Sequence, residues 1–251
     1  MSLKNLSAKT KIHKILYRKL KNKKINKIYN KFEKSLNLKT SFAVAISGGP
    51  DSLALSFLAK IYSIKNNLNT KFYIVDHKLR SGSTKEAKKV KQILKKISIN
   101  AQILTWRGTK PTKNIQSIAR SKRYELLTNI CKRLRINNIL LGHHEDDLHE
   151  NFFIRILRGS GLHGLVSLDK KSKVDNFNLL RPLLDQKKED LIFLANFVFS
   201  FYVKDPSNYD QKFQRIKIRN LINQLKKDGL DRKKFSKTIE NLKLSNSVIN
   251  F

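Results

Sequence analysis

Short apolar runs and stretches of helical periodicity alternate along this chain, and that alternation restricts its fold more than any other feature. Residues 41–46 (SFAVAI) form a brief apolar run. In 52–65, Leu53, Leu55, Leu58 and Ile61 then recur at helical spacing. The pattern repeats as strands over 71–76, 101–106, 138–142 and 177–184, interleaved with helices over 83–97, 114–135, 145–157 and 186–202. Strands that alternate with helices build right-handed βαβ crossovers onto a parallel sheet. Nearly continuous apolar strands imply a sheet covered on both faces. The predicted class is therefore α/β: a doubly wound, mostly parallel five-stranded sheet with helices on both faces. Ile25, Ile28, Tyr29, Phe32 and Leu36 recur in a Lys-rich N-terminal stretch, which predicts a basic amphipathic helix. After about Lys227 the sequence reads as one polar helix with a ragged end.

The 251 residues suit one large α/β domain. Fifty-three Lys and Arg against 19 Asp and Glu give a net charge of +34. Part of that excess fits lysine-rich codon usage, but the positive field exists whatever its origin. It favours a nucleic-acid partner and salt-sensitive binding. Cys131 is the single cysteine, so the chain can form no internal disulfide and no cysteine-based metal or Fe–S site; it reads as a small core residue. The longest apolar stretch, 194–203, is broken by Asn196 and Ser200 and is too short for a bilayer. The N-terminus lacks the apolar core of a signal peptide. A cytoplasmic protein without a membrane partner is expected, and a homodimer is left open.

In open parallel sheets ligands bind beyond the carboxyl ends of the strands. After the first strand comes Ser47-Gly48-Gly49-Pro50-Asp51-Ser52. Two glycines let backbone N–H groups approach a phosphate, and the following helix aims its positive N-terminus at the same place. Ser47 and Ser52 add hydroxyls. Asp51 would repel phosphate alone, so its expected task is a Mg²⁺ shared with the phosphates. An ordinary glycine turn with an Asp or Ser cap is the plainer alternative. No Gly-Lys-Ser/Thr follows, so this is not a Walker A loop. Beyond the later strands, Arg120 and Arg123 share a helix face at i, i+3 and suit phosphate or a polarised base oxygen. His143, Asp147 and Glu150 fall at i, i+4, i+7 on one face. Zinc, or acids that merely favour the helix dipole, are the competing readings there.

The hexapeptide resembles the SGGxDS fingerprint of the PP-loop ATP pyrophosphatases. Further segments resemble one branch of that family, the lysidine synthetases. They are Val75-Asp76-His77-Lys78-Leu79-Arg80 with Ser81 and Glu86-Ala87; Asn114-x-Gln116-x-x-Ala119-Arg120-x-x-Arg123-Tyr124; and His143-His144-x-x-Asp147-x-x-Glu150. Arg158-Gly159-Ser160-Gly161-Leu162, Arg181-Pro182-Leu183-Leu184, Asp205-Pro206-Ser207-Asn208 and Arg215 with Arg219-Asn220 complete the series. The resemblance implies cleavage of ATP between the α and β phosphates and adenylation of the wobble cytidine of tRNA(Ile) with a CAU anticodon. Free lysine would then attack, with AMP and pyrophosphate as by-products. It implies that Ser47–Ser52 hold ATP, with Asp51 near Mg²⁺. Asp147 and Glu150, beside His143, would take the lysine amine or a metal, or strip the amine's proton as a general base, and Arg120 and Arg123 the developing negative charge. The expected domain boundaries are a catalytic unit over 1–228, led by basic helix within 1–40, and a short helical tail over 229–251. Many members of the branch carry further C-terminal domains. The alternatives are a PP-loop tRNA thiolase, which the lone Cys131 disfavours, a PP-loop synthetase forming amides of small metabolites, and a non-catalytic RNA-binding module.

Overall fold

The structure is a computed structural model that describes residues 14–109, 111–204 and 214–249. The elements run α1 (Lys23–Lys34), β1 (Phe42–Ile46), α2 (Pro50–Lys65), β2 (Thr70–Asp76), α3 (Ser83–Lys95), β3 (Ala101–Thr105) and α4 (Ile115–Arg133). Then follow β4 (Asn138–Leu140), α5 (Glu145–Ile156), the one-turn α6 (Leu162–Leu165), β5 (Lys171–Val174), β6 (Phe177–Leu180), α7 (Lys188–Phe199), α8 (Gln214–Lys227) and α9 (Arg232–Ile249).

β1 lies inside a six-stranded sheet of order β3-β2-β1-β4-β6-β5. Its residues explain why: Phe42, Ala43, Val44 and Ile46 are all buried, so both faces need cover. Phe42, Val44 and Ile46 join the larger core with α1, α2, α3 and α7. Ala43 turns the other way, into a smaller core with Tyr73, Leu127, Cys131 and Ile139 beneath α4. Cys131 is thus a packing residue, and burial pushes its thiol up to about 11. Every pairing is parallel except β5 with β6. The order reverses between β2 and β4 around β1, the switch point at which such sheets bind ligands.

The strands depart from expectation in two ways. The sheet has six strands, because β5 escaped the apolar-run criterion. Its sequence KSKV is polar, and it is an edge strand with little to bury. A two-residue turn, Asp175-Asn176, joins it to β6, with Asp175 at φ 50°. The strand expected over 177–184 stops at Leu180, before Arg181 and Pro182, which cannot continue a ladder. The tail holds the expected polar helix. Arg232–Ile249 is an eighteen-residue helix docked onto α5: the Phe235 ring lies 4.9 to 5.4 Å from those of His149, Phe152 and Phe153. At the other end of the chain, the anticipated amphipathic helix is α1, with Ile25, Ile28, Tyr29 and Phe32 buried. Among the described residues no helix is long and apolar enough to cross a membrane.

Candidate active site

The glycine turn after β1 is closed by one side chain. Ser52 Oγ accepts from the N–H groups of Ser47 (3.2 Å) and Gly48 (3.1 Å) and donates to the carbonyl of Gly49 (3.0 Å). Ser47 Oγ stands 3.2 Å from it. Gly48 has φ +88°, and a Cβ there would stand 2.8 Å from Val90 Cγ2 and 3.0 Å from Val203 Cγ2. Glycine is required on both counts. Gly49 caps α2 in an extended conformation and Pro50 opens the helix, where its missing N–H costs nothing. Asp51 therefore stands on the first turn of α2. Its Oδ1 is buried without a hydrogen-bond partner among the described residues. Burial raises its carboxyl above the usual range, against the pull of His144 and Lys188.

The exit of β4 comes close to this turn. A Cβ on Gly142 would lie 3.2 Å from the Ser52 nitrogen and 3.3 Å from the Asp51 carbonyl carbon, so the glycine allows backbone to meet backbone. His143 and His144 follow, then α5. The sequence reading singled out His143, but His144 is the residue that joins the two halves of the site. It is 3% exposed and caps α5, its Nδ1 accepting the Asp146 N–H at 3.2 Å. That bond leaves the ring proton on Nε2. Nε2 lies 3.6 Å from Asp51 Oδ2 and 3.5 Å from Asp147 Oδ2. A histidine between carboxylates of two distant segments was invisible as spacing, although the paired His143-His144 marked the place. His143 lies close by, with Nδ1 buried and unpartnered among the described residues; burial pushes its pKa down to about 3, so it is neutral.

Asp147 and Glu150 meet different fates. Asp147 Oδ2 accepts the His144 N–H (3.0 Å) and Oδ1 accepts from Arg215 Nη2 (3.0 Å). Burial opposes its charge, but His144, Arg215 and His143 hold the carboxyl down at about 2. Glu150 is 1% exposed and fully engaged: Arg215 Nε donates at 2.8 Å and Arg219 Nε at 2.5 Å. Both oxygens of Glu150 are engaged by guanidinium groups, so it anchors α8 to α5. A third arginine, Arg232 of α9, takes Glu145 and Asp146, and Ser236 Oγ reaches His149 Nε2 at 2.8 Å. Arg232, Phe235 and Ser236 carry no motif. Only the run of acids in 145–150, too dense to stay unpaired, could have announced partners elsewhere.

Cations of α4 act on the histidines of the site: Arg120 on His143 and Arg123 on His77. Arg123 makes no ion pair with a described residue, and burial, together with Arg120, lowers its pKa. Arg120 is exposed, with its guanidinium 5.2 Å from the Tyr124 ring. His77 has both ring nitrogens buried without partners among the described residues; burial and Arg123 push it down to about 4. Asp76 works locally, accepting from Lys78 N–H and from the hydroxyls of Ser83 and Thr84 at 2.6 to 3.0 Å. Against the cost of burial, these donors lower its carboxyl. The segment 205–208 lies outside the described residues. No group of three or more His, Cys, Asp or Glu among the described residues is arranged to hold a metal ion.

A phosphate-sized backbone turn at the switch point of a parallel sheet, with a carboxylate on its helix, defines an α/β nucleotide-binding site. The chain belongs to the PP-loop domain family, whose model matches residues 18–226, and the family is one of ATP-binding domains. It is 42% identical over 180 residues to a tRNA(Ile)-lysidine synthase from Orientia tsutsugamushi, a match covering 72% of this chain and 41% of the relative. The corresponding enzyme of Rhodopseudomonas palustris is 37% identical over 193 residues (76% and 56%), and that of Rickettsia felis 34% over 230 (89% and 52%). The chain thus spans about half the length of the curated relatives it matches. Among solved structures, the U34-tRNA thiolase NcsA of Methanococcus maripaludis shares the fold. Its TM-score is 0.74 at 18% identity, over 87% of this chain and 78% of that one.

Proposed function

We propose that this chain ligates free lysine to the wobble cytidine of tRNA(Ile) bearing a CAU anticodon, forming lysidine. The observation that carries the reading is the meeting of Asp51 and Asp147 across His144. It sets an anionic recess directly beside the glycine turn. Phosphates of ATP suit the turn, and a cationic amine suits the recess. The similarity to tRNA(Ile)-lysidine synthases supports the choice of substrates.

In this reading Ser47–Ser52 cradle ATP. The cytidine C2 oxygen attacks the α-phosphorus; that P–O bond forms as the α–β bridging P–O bond breaks, and pyrophosphate leaves. The lysine ε-ammonium loses a proton to solvent, its nitrogen bonds to C2 as the C2–O bond breaks, and AMP leaves. Arg120 and Arg123 face the charge that builds on phosphate and base oxygen. Asp51 Oδ1, buried and unpartnered, fits a Mg²⁺ completed by phosphate oxygens, which would neutralise charge on the triphosphate. Asp147, held near 2, is too weak a base to strip an ammonium, so its part is to orient lysine. Glu150 positions Arg215 and Arg219. The catalytic unit is the segment up to about 228, with α9 as its brace.

The test is release of AMP and pyrophosphate from ATP, with and without lysine and a tRNA(Ile) transcript carrying CAU. Release that needs both, with labelled lysine in the RNA, is expected. Release without lysine, or with another acceptor, would move the substrate and leave the fold.

A further inference from the structure

α3 and the residue that ends it carry Lys85, Lys88, Lys89, Lys91, Lys95 and Lys96, all exposed. None makes an ion pair with a described residue. The helix has one acid, Glu86, and Arg80 occupies both of its oxygens. Some lysines elsewhere are offset: Lys24 by Asp190, Lys65 by Glu33, Lys122 by Glu125, Lys243 by Asp169. On α3, Lys85–Lys88, Lys85–Lys89, Lys88–Lys91 and Lys91–Lys95 are like-charged neighbours at i, i+3 or i, i+4, which weakens an isolated helix. The fold bears this because Ala87, Val90 and Leu94 pack inward. Within the fold only Lys89 finds a partner for its charge, the face of the Phe201 ring at 4.4 Å; no acid among the described residues answers the other five.

Its placement is directional. The first turn of α3 gives the Ser83 and Thr84 hydroxyls to Asp76 at the carboxyl end of β2. Val90 packs against Gly48 of the glycine turn. The helix therefore starts at the rim of the site and runs away along the outer flank of the sheet, over β2 and β3. Lys85 to Lys96 spans about 16 Å at a rise of ~1.5 Å per residue. Six charges over that length is roughly one per 3 Å, close to the ~3.4 Å per phosphate of one nucleic-acid strand. At the far end, Lys91, Lys95, Asn100 and Gln102 line a shallow depression beside β3.

We propose that the outer face of α3 docks the phosphate backbone of the RNA whose base enters the site. The surface itself is argued from α3; that the RNA is tRNA(Ile) rests on the function proposed above. The test compares Lys85→Gln/Lys88→Gln/Lys95→Gln with Lys31→Gln/Lys34→Gln/Lys39→Gln, another exposed trio. The second trio sits near Glu33, which pairs with the last residue of the sixteen-residue α2, about 24 Å from the glycine turn. Binding of the CAU transcript is measured over a range of salt, together with KM for ATP and lysine. The α3 triple should weaken RNA binding at least ~10-fold near 0.1 M salt and lower the log–log salt slope by about 2 to 3. KM for ATP and lysine should hold, and the control should shift binding less than about threefold. Equal weakening in both triples, or an unchanged slope, overturns the proposal. So does loss of binding to anionic vesicles in place of RNA. If the wild type binds RNA through α3 yet makes no lysidine, the surface stands and the assigned reaction falls.

Discussion

The two halves of the site are built by different means. The glycine turn is made of backbone: six consecutive residues, closed by the hydroxyl of Ser52. The acidic end of α5 is made of side chains held from far away, by Arg215 and Arg219 of α8 and Arg232 of α9, more than sixty residues along the chain. A backbone cradle tolerates little change in conformation but depends on few partners. A side-chain cluster depends on every partner, because four acids in one turn and a half of helix repel unless each is answered. Substitution should therefore impair binding and chemistry in the first region, and stability as well in the second.

The largest effect is expected where the halves meet. Asp147→Asn removes a carboxylate facing both His144 and Arg215 and should lower lysidine formation by on the order of 10²-fold through misplacement of the amine. If Asp147 orients lysine, as proposed, much of that loss should fall on KM for lysine, with ATP binding intact. Turnover near the wild-type value in Asp147→Asn would remove the residue from the site. Next comes Glu150→Gln. It leaves Arg215 and Arg219 against a buried neutral amide, and should cost about 3 kcal/mol in urea unfolding. A loss below about 1 kcal/mol would mean that α8 is held by its buried Ile216, Ile218 and Ile222 rather than by charge.

That contrast also separates what could be read in the sequence from what could not. The α/β class, the turn over Ser47–Ser52 and the burial of α1 are local, since periodicity and glycine spacing act within a few residues. The engagement of Glu150 by two arginines is not, because nothing at positions 145–150 specifies which of 53 cations will face them. His144 was hidden for a related reason. Its role depends on β1 and β4 lying side by side, so that residues almost a hundred positions apart share one ring nitrogen. β5 was missed because an exposed edge strand has no apolar face to announce it. α9 is legible as a polar helix but its docking is not, because its attachments are a few polar contacts, Phe235 and the buried Ile239, spread over a helix that is otherwise mostly exposed.

Gly48→Ala tests the backbone half alone. The alanine would have to adopt φ +88° and push against Val90 and Val203, a strain of about 1–3 kcal/mol. Weaker ATP binding should accompany it, read as a raised KM for ATP with KM for lysine unchanged. Adding Val90→Ala should recover part of the stability, since it removes the nearer clash, but not the part due to φ. Full recovery would show that the turn's conformation is unstrained for alanine.

The last effect concerns acid. His149 is 2% exposed, and burial pushes its pKa down to about 4, as it does for His77, and to about 3 for His143. An unfolded histidine titrates near 6.5. Each folded-state pKa is depressed, so the stabilisation is fully present above about 6.5 and is lost as pH falls toward 4, where the unfolded chain takes up protons that the fold refuses. The Asp147 carboxyl extends the same sign to a lower window, from about 4 down to 2. His149→Phe keeps a ring against Phe235 and Phe152 while deleting one titrating group. The urea midpoint of the wild type should drop between pH 7 and 4.5, and in His149→Phe the drop should shrink by about a third, one histidine of three. Identical drops would mean that His149 becomes protonated within the fold. In that case Glu145 and Asp146, the two acids that Arg232 answers, would hold the imidazolium in the native state.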